Sequence, residues 1–365
     1  MAGLWAQPFG TSAVSPPNSA WREFVQDSHN REWARRIISR MQIDRFVFAQ
    51  GLALAPMAGV TDRVFRKHCR VLGAAMTTGE MVSSQPGLRA TRKSMKRLDF
   101  SGEPSPRIVQ IAGGDATDLA EAARVNADAG ADIIDINFGC PAKKVCRKAA
   151  GSALMADAGA AAQIFDAVVA ASPVPVTLKM RTGVSADRIN APHIARYAEE
   201  AGIAALAVHG RTRDQHYQGI AEYDTIAAVK AAVSIPVWAN GDIDSPAKAL
   251  AVKQATGADG LMIGRAACRR PWLFGQIAAA LAGGGVPAAP DLATEREWLL
   301  GLIEQIHDFY GEDQGVRIAR KHIAWLLERH PAHIATANAL MQAEGSARQR
   351  RLVDGYFQAV DQRSS

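Results

Sequence analysis

From Leu52 onward, short apolar and β-branched runs alternate with Ala-rich stretches whose apolar positions recur at helical spacing. That alternation is the mark of repeated βα units feeding a parallel sheet. It predicts eight strands: Leu52–Pro56, Ala75–Gly79, Arg107–Ile111, Ile133–Asn137, Val174–Lys179, Ala204–Val208, Pro236–Asn240 and Gly260–Ile263. Eight consecutive units without a dinucleotide fingerprint favour a closed (β/α)₈ TIM barrel over a doubly wound open sheet. The pattern stops at Leu281–Asp291, a Gly- and Pro-rich stretch that breaks helices. Beyond it, helical spacing over 293–310, 316–329, 331–343 and 346–361 predicts a small all-α helical bundle. The expected organisation is an N-terminal extension over 1–40 outside the main fold, a barrel over 41–282, a linker over 283–291 and a helical domain over 292–365. Within the extension, the basic stretch from Arg31 to Arg40 reads as a short helix.

Charge and cysteines narrow the class. The four cysteines, Cys69, Cys140, Cys146 and Cys268, show no CxxC pair, so neither a disulfide framework nor a metal site is expected. No apolar run reaches membrane-spanning length and no signal pattern opens the chain, which predicts a soluble cytoplasmic protein with no membrane contact. The net charge of +6 suits a polyanionic partner, and its location says more. Residues 1–40 carry five Arg against three acids and residues 291–365 nine basic against eleven acidic residues, so the excess lies in 41–290.

In such a barrel the reactive groups sit at the C-terminal ends of the strands and in the loops that follow. Those positions read APMAGVTD from Ala55, QIAG from Gln110, DINFGCPAKKV from Asp135, LKMRTG from Leu178, HGRT from His209, ANGDI from Ala239 and IGRA from Ile263. In this order and spacing the motifs resemble the tRNA-dihydrouridine synthase family, bacterial B type, from about Met41 to the C-terminus. The resemblance implies a flavin enzyme that uses FMN and NADPH or NADH to reduce the C5–C6 bond of a uridine in the D-loop of tRNA. The tRNA is the partner implied, and no obligatory protein partner is expected.

The residues can be weighed individually beside the resemblance. Asn240-Gly241-Asp242 and Gly264-Arg265 form Gly-rich turns where bare N–H groups and Arg265 suit a phosphate, FMN's in the family; simple tight turns are the alternative. Pro56, Met57 and Ala58 would lie against the flavin ring, and Gln110 would hydrogen-bond its polar edge. A buried Lys179 must find an anion or lose its proton, and a reduced flavin supplies one; a structural ion pair is the alternative. His209 reads as a phosphate or ribityl contact or as a satisfied core histidine.

Uracil reduction needs a hydride at C6 and a proton at C5. Cys140 matches the family's proton donor, and a thiol held opposite the flavin is a competent acid near neutral pH. Asn137 reads as orienting the base or, equally, as a turn former. Lys143, Lys144 and Arg211 belong to a set of basic residues expected to ring the mouth and hold phosphates. Arg317, Arg320 and Lys321 share one helix face, in a segment that the resemblance places against tRNA. With no separate nicotinamide domain, the electron donor would use the same mouth as the RNA. The rival readings are an FMN-dependent small-molecule dehydrogenase of the dihydroorotate or dihydropyrimidine type and a non-catalytic RNA-binding protein on a retired barrel.

Overall fold

The protein is described here by a computed structural model whose described residues are 40–89, 91–142 and 150–364. The expected extension up to residue 39, its basic helix, Lys143, Lys144 and Cys146 lie outside the described residues.

The described chain opens with an antiparallel hairpin of β1 (Arg40–Ile43) and β2 (Phe46–Ala49), turned at Asp44 with φ of 50°. The eight-unit barrel follows. Its strands are β3 (Leu52–Leu54), β4 (Met76–Thr77) continued by β5 (Val82–Ser83), β6 (Ile108–Ala112), β7 (Ile133–Phe138), β8 (Val176–Arg181), β11 (Ala205–His209), β12 (Val237–Asn240) and β13 (Gly260–Ile263). A small hairpin of β9 (Gly183–Ser185) and β10 (Arg188–Ile189) interrupts the fifth unit. All ladders of the large sheet are parallel, in the order β4-β3-β13-β12-β11-β8-β7-β6-β5. A bridge from Thr78 to Ile108, and the Gly79 N–H donating to the Ile108 carbonyl, join the two ends and close the barrel.

Of the second expected strand, Ala75–Gly79, only β4 is regular, because the chain leaves β3 after Thr77 and pairs with β6 from Thr78, a pairing that β5 resumes beyond the expected bounds. Strands β7, β8 and β11 run one or two residues further than expected, to Phe138, Arg181 and His209.

Helices cover the outside: α1 (Arg63–Val71), α2 (Pro86–Arg89), α3 (Arg92–Arg97), α4 (Ala116–Asp128), α5 (Ala158–Ala171), α6 (Ala191–Glu200), α7 (Asp224–Ala232), α8 (Pro246–Thr256), α9 (Arg265–Arg269) and α10 (Leu273–Leu281). Their starts are chemically marked. Asp62, Asp115, Asp157 and Ser245 each accept a backbone N–H in the first turn of α1, α4, α5 and α8.

Alternation along the strands sorts side chains to the two faces of the wall. Outward residues such as Val109, Ile134, Leu178 and Val208 pack under the helices. At the inner, N-terminal end Ile108, Ile133, Ala205 and Trp238 meet Met41, Ile43 and Phe48 of the hairpin, which sequence periodicity did not predict. The hairpin stoppers that end of the barrel, and Phe48 stands edge-on to Trp238 at 6.0 Å.

After the Gly-rich break come α11 (Leu292–Tyr310), α12 (Glu312–Arg329), α13 (Ile334–Gln342) and α14 (Ser346–Ser364). An apolar stripe of Trp298, Leu299, Leu302, Ile303 and Ile306 packs α11 against α12 and α14. The same apolar cluster continues without interruption into the barrel's outer layer, through α11 on α1 and α12 on α9. No helix among the described residues is long and apolar enough to cross a membrane.

Candidate active site

At the C-terminal end of the barrel, opposite the hairpin, a cavity of about 890 Å³ is lined by residues at the strand ends and in the loops that follow them. Its volume suits a cofactor-sized ligand. The inward positions here are polar although buried, which is costly unless every group is paired.

On one side they are paired to one another. Gln110 Nε2 donates to Asp135 Oδ2 at 2.7 Å, and Asn137 Nδ2 donates to Gln110 Oε1 at 2.7 Å. Thr177 Oγ1 donates to the other Asp135 oxygen at 2.7 Å. Burial pushes the Asp135 carboxyl up in pKa, against the pull of Thr177, Gln110 and Lys179. The chain fixes the Gln110 amide in one orientation, because its N–H side must face the carboxylate.

Asn137 also organises the next turn. Its Oδ1 accepts the N–H groups of Gly139 at 3.2 Å and Cys140 at 2.9 Å. From the far side Ser152 donates to the Cys140 carbonyl through both N–H, 3.1 Å, and hydroxyl, 2.9 Å. Cys140 is half-buried and lines the cavity. The geometry therefore shows Asn137 forming the turn that presents Cys140.

Lys179 stands on the cavity floor, its ammonium reachable from the cavity and otherwise surrounded by protein, donating to Asn240 Oδ1 at 3.0 Å. Burial lowers its pKa to about 8, and neighbouring Arg181 adds to this while Asp135 and Cys140 oppose it. Asn240 is itself anchored by Nδ2 donating to the Met262 carbonyl at 2.7 Å. Arg181 is buried, with donors on the carbonyls of Gly139, Thr212 and His216 at 2.7, 2.8 and 2.8 Å, so it ties the Cys140 turn to the loop after β11.

The other side of the mouth is charged. Arg211 grips Asp242 with two bonds, at 2.9 and 2.7 Å, and donates to the Gln218 and Gly219 carbonyls. Arg265 reaches the same Asp242 at 3.0 Å but remains half exposed, over the Tyr217 ring at 5.0 Å. These arginines hold the Asp242 carboxyl below its usual range against the cost of burial. Gly241 has φ of +132°, and a Cβ there would meet Ala221 Cβ at 2.7 Å, so glycine is required. At Gly264 an added Cβ would make only ordinary contacts, near 3.8 Å, with Ala55 and Met57. His209 is buried, and burial with four surrounding cations pushes its pKa well down, so the imidazole is neutral.

The structure thus gathers Pro56, Met57, Ala58, Gln110, Asn137, Cys140, Lys179, His209, Asn240, Gly241, Asp242, Gly264 and Arg265 around one cavity. Arg211 departs from expectation: it is 1% exposed and its fork is consumed by Asp242 and carbonyls, leaving it no donor for a substrate. The three basic residues of α12 also part company. Arg317 is exposed, Arg320 donates to the Ala343 carbonyl at 3.3 Å, and Lys321 donates to the Gly59 carbonyl of the barrel. Asp135, Arg181, Met81 and Tyr217 were not singled out from sequence, although Asp135 and Asn137, two residues apart, share one strand face.

The sequence model of the family described as Dihydrouridine synthase (Dus) matches residues 53–362, from the first barrel strand to the last helix. The chain belongs to the dihydrouridine synthase family. Family members are flavin-dependent enzymes, and this membership argues against the small-molecule dehydrogenase and the retired barrel alike. Curated relatives agree along nearly their whole lengths. The chain is 56% identical over 320 residues, 88% of it and 96% of the relative, to "tRNA-dihydrouridine synthase B" of Xanthomonas campestris pv. campestris. It is 58% identical over 295 residues to the protein of that name from Pseudomonas aeruginosa, covering 80% of this chain and 89% of the relative. With the protein of that name from Shewanella oneidensis it shares 50% over 322 residues, 88% of this chain and 100% of the relative.

Proposed function

We propose that the chain is a cytoplasmic tRNA-dihydrouridine synthase that holds FMN in the barrel mouth, takes electrons from NADPH or NADH, and reduces a D-loop uridine. The barrel over 41–282 is the catalytic unit in this reading, and the helices over 292–365 carry RNA. The observation that supports it most is the Cys140 turn, pinned by Asn137 and Ser152 on the cavity that also holds Lys179 and Gln110.

The residues present fit a flavin mononucleotide. The bare Gly264 turn and half-exposed Arg265 suit its phosphate, the amide of Gln110 suits the polar ring edge, and the deep ammonium of Lys179 suits negative charge on the ring. The bound flavin supplies the hydride that goes to C6 of the uracil.

Everything else falls to this chain. Pro56, Met57 and Ala58 form an apolar wall of the cavity that limits water. Cys140 carries the proton for C5: its S–H bond breaks as the new C–H bond forms, quenching the enolate conjugated with the C4 carbonyl. Asn137 and Ser152 fix the backbone from which that thiol projects. Lys179 holds its proton below a pH of about 8, so near neutral pH it presents a cation to the ring. Arg211 holds Asp242 in place, and Asp242 in turn orients Arg265. The uridine reaches these groups turned out of its stack, which costs least in a flexible loop.

The decisive experiment incubates unmodified tRNA with the protein, FMN and NADPH and reads dihydrouridine by nucleoside mass spectrometry, beside the Cys140→Ala variant. Product from the wild type, falling at least about hundredfold in rate in the variant with flavin still bound, is the expected outcome. A flavin that NADPH reduces without any product would sink the RNA reading.

A further inference from the structure

The loop from Met57 to Asp62 follows the first barrel strand and supplies Met57 and Ala58 to the cavity wall. It is closed on itself: the Val60 and Thr61 N–H groups donate to the Met57 carbonyl, each at 3.0 Å, and the Met57 N–H donates to Thr61 Oγ1 at 3.0 Å. At its tip Gly59, with φ of +77°, is exposed and has little packing of its own. Such a tip needs external ties to stay in one place.

Both polar groups of Gly59 are gripped from outside the loop. Its N–H donates to Glu80 Oε2 at 2.6 Å, and its carbonyl accepts from Lys321 Nζ of α12. Glu80 is buried and ion-paired to Arg97 at 3.1 Å, and Arg97 donates at 2.8 Å to the carbonyl of Met81, which lines the same cavity. A second tie comes from α11, where the Tyr310 hydroxyl donates at 3.1 Å to Asp62, the residue that caps α1. Lys96 of α3 donates to the carbonyls of Phe309 and Tyr310 at 3.3 and 3.4 Å, holding the end of α11 against the barrel. One chain of bonds therefore runs from the helical region through Lys321, Gly59, Glu80 and Arg97 to both Met57 and Met81.

We propose that Lys321 is a positioning residue of the reductive site, holding the Met57–Asp62 loop against the flavin from the helical region, rather than an RNA contact. The inference rests on the proposed flavin site. Its surroundings agree: burial lowers the Lys321 pKa, and the groups facing it, Asp62, Glu80 and Cys268, all favour the cation. A phosphate would find the ammonium already occupied on the barrel side, whereas Arg317, one turn earlier, is exposed. The helical region is thereby part of the catalytic wall as well as a flank for RNA.

The test uses the full chain with Lys321→Met, Lys321→Arg and Glu80→Gln, each checked by thermal melting. Flavin affinity is titrated by fluorescence without RNA, and tRNA affinity by filter binding with flavin saturating. Lys321→Met and Glu80→Gln are each expected to raise the flavin dissociation constant about tenfold, the effect of losing one charge-assisted hydrogen bond. In both, tRNA affinity should stay within about twofold, and Lys321→Arg should recover most of the flavin affinity. If Lys321→Met does not fold, the Glu80→Gln and Lys321→Arg measurements decide alone. Unchanged flavin affinity with weakened tRNA binding and a shallower salt dependence in Lys321→Met would overturn the proposal. Wild-type protein that binds no flavin defeats the flavin reading itself; wild type that binds flavin while both charge-removing variants match it defeats only the positioning role.

Discussion

The two sides of the barrel mouth solve the problem of burying polar groups in opposite ways. Across β6, β7 and β8, Gln110, Asp135, Asn137 and Thr177 form a closed hydrogen-bond network in which the carboxyl is partnered by amide and hydroxyl donors. Across β11, β12 and α9, Arg211, Asp242 and Arg265 form a charged arc open to solvent at one end. A dipolar network sets the orientation of a single amide and so suits recognition of a flat heteroaromatic edge. A charged arc ranks ligands by net charge and suits a phosphate. In the proposed reading the contrast would allocate the flavin ring to one side and its phosphate to the other.

The largest effect that would break this contrast is loss of the arc's buried member. Arg211→Met strips Asp242 of its bidentate partner, leaving it only Arg265 and the Ala221 N–H, removes a donor from two carbonyls, and is expected to cost about 3 kcal/mol of folding stability in urea titrations. A loss below about 1 kcal/mol would show that the arc is solvated and not built in. Next, Asn137→Ala frees the Cys140 turn and should lower the single-turnover rate of dihydrouridine formation about tenfold, with flavin affinity nearly unchanged. A change confined to tRNA affinity would move Asn137 from the turn to the substrate. Smaller still, Arg265→Gln should weaken flavin binding only about threefold, and the difference should vanish at high salt because the side chain is half exposed.

Lys179 in the folded protein loses its proton near a pH of about 8, earlier than an unfolded lysine. Folding therefore sheds a proton above that pH, so the stability of the flavin-free protein should rise with pH between about 8 and 10. Flavin affinity should fall over the same range, because an anionic ligand needs the ammonium. Lys179→Met should flatten both curves, and parallel rather than opposed trends in the wild type would remove Lys179 from the anion site.

The barrel was legible because outward strand faces and helix stripes obey simple periods, as in β7, where Ile134, Ile136 and Phe138 pack outward. The motif positions at strand ends likewise located the cavity residues. What sequence did not disclose was where each guanidinium and ammonium points. Arg211 and Lys321 read as surface cations at loop and helix positions, yet each turns inward because carbonyls or carboxylates distant in sequence wait there. Ion pairs such as Arg211 with Asp242 join residues 31 positions apart, beyond the reach of any local pattern. The hairpin at Arg40–Ala49 escaped for a different reason: its four-residue strands are too short for alternation to register.

That hairpin has a kinetic consequence. Among the described residues, Met41, Ile43 and Phe48 cover one end of the barrel, and the cavity lies at the other. In the proposed cycle nicotinamide and RNA would share that face and take turns, each leaving before the next arrives. Double-reciprocal plots for nicotinamide and RNA should then run parallel, and each reactant in excess should inhibit the other's half of the cycle. The order of visits would then follow from the filled interior beneath the cavity, which the hairpin completes and which leaves both reactants the same mouth.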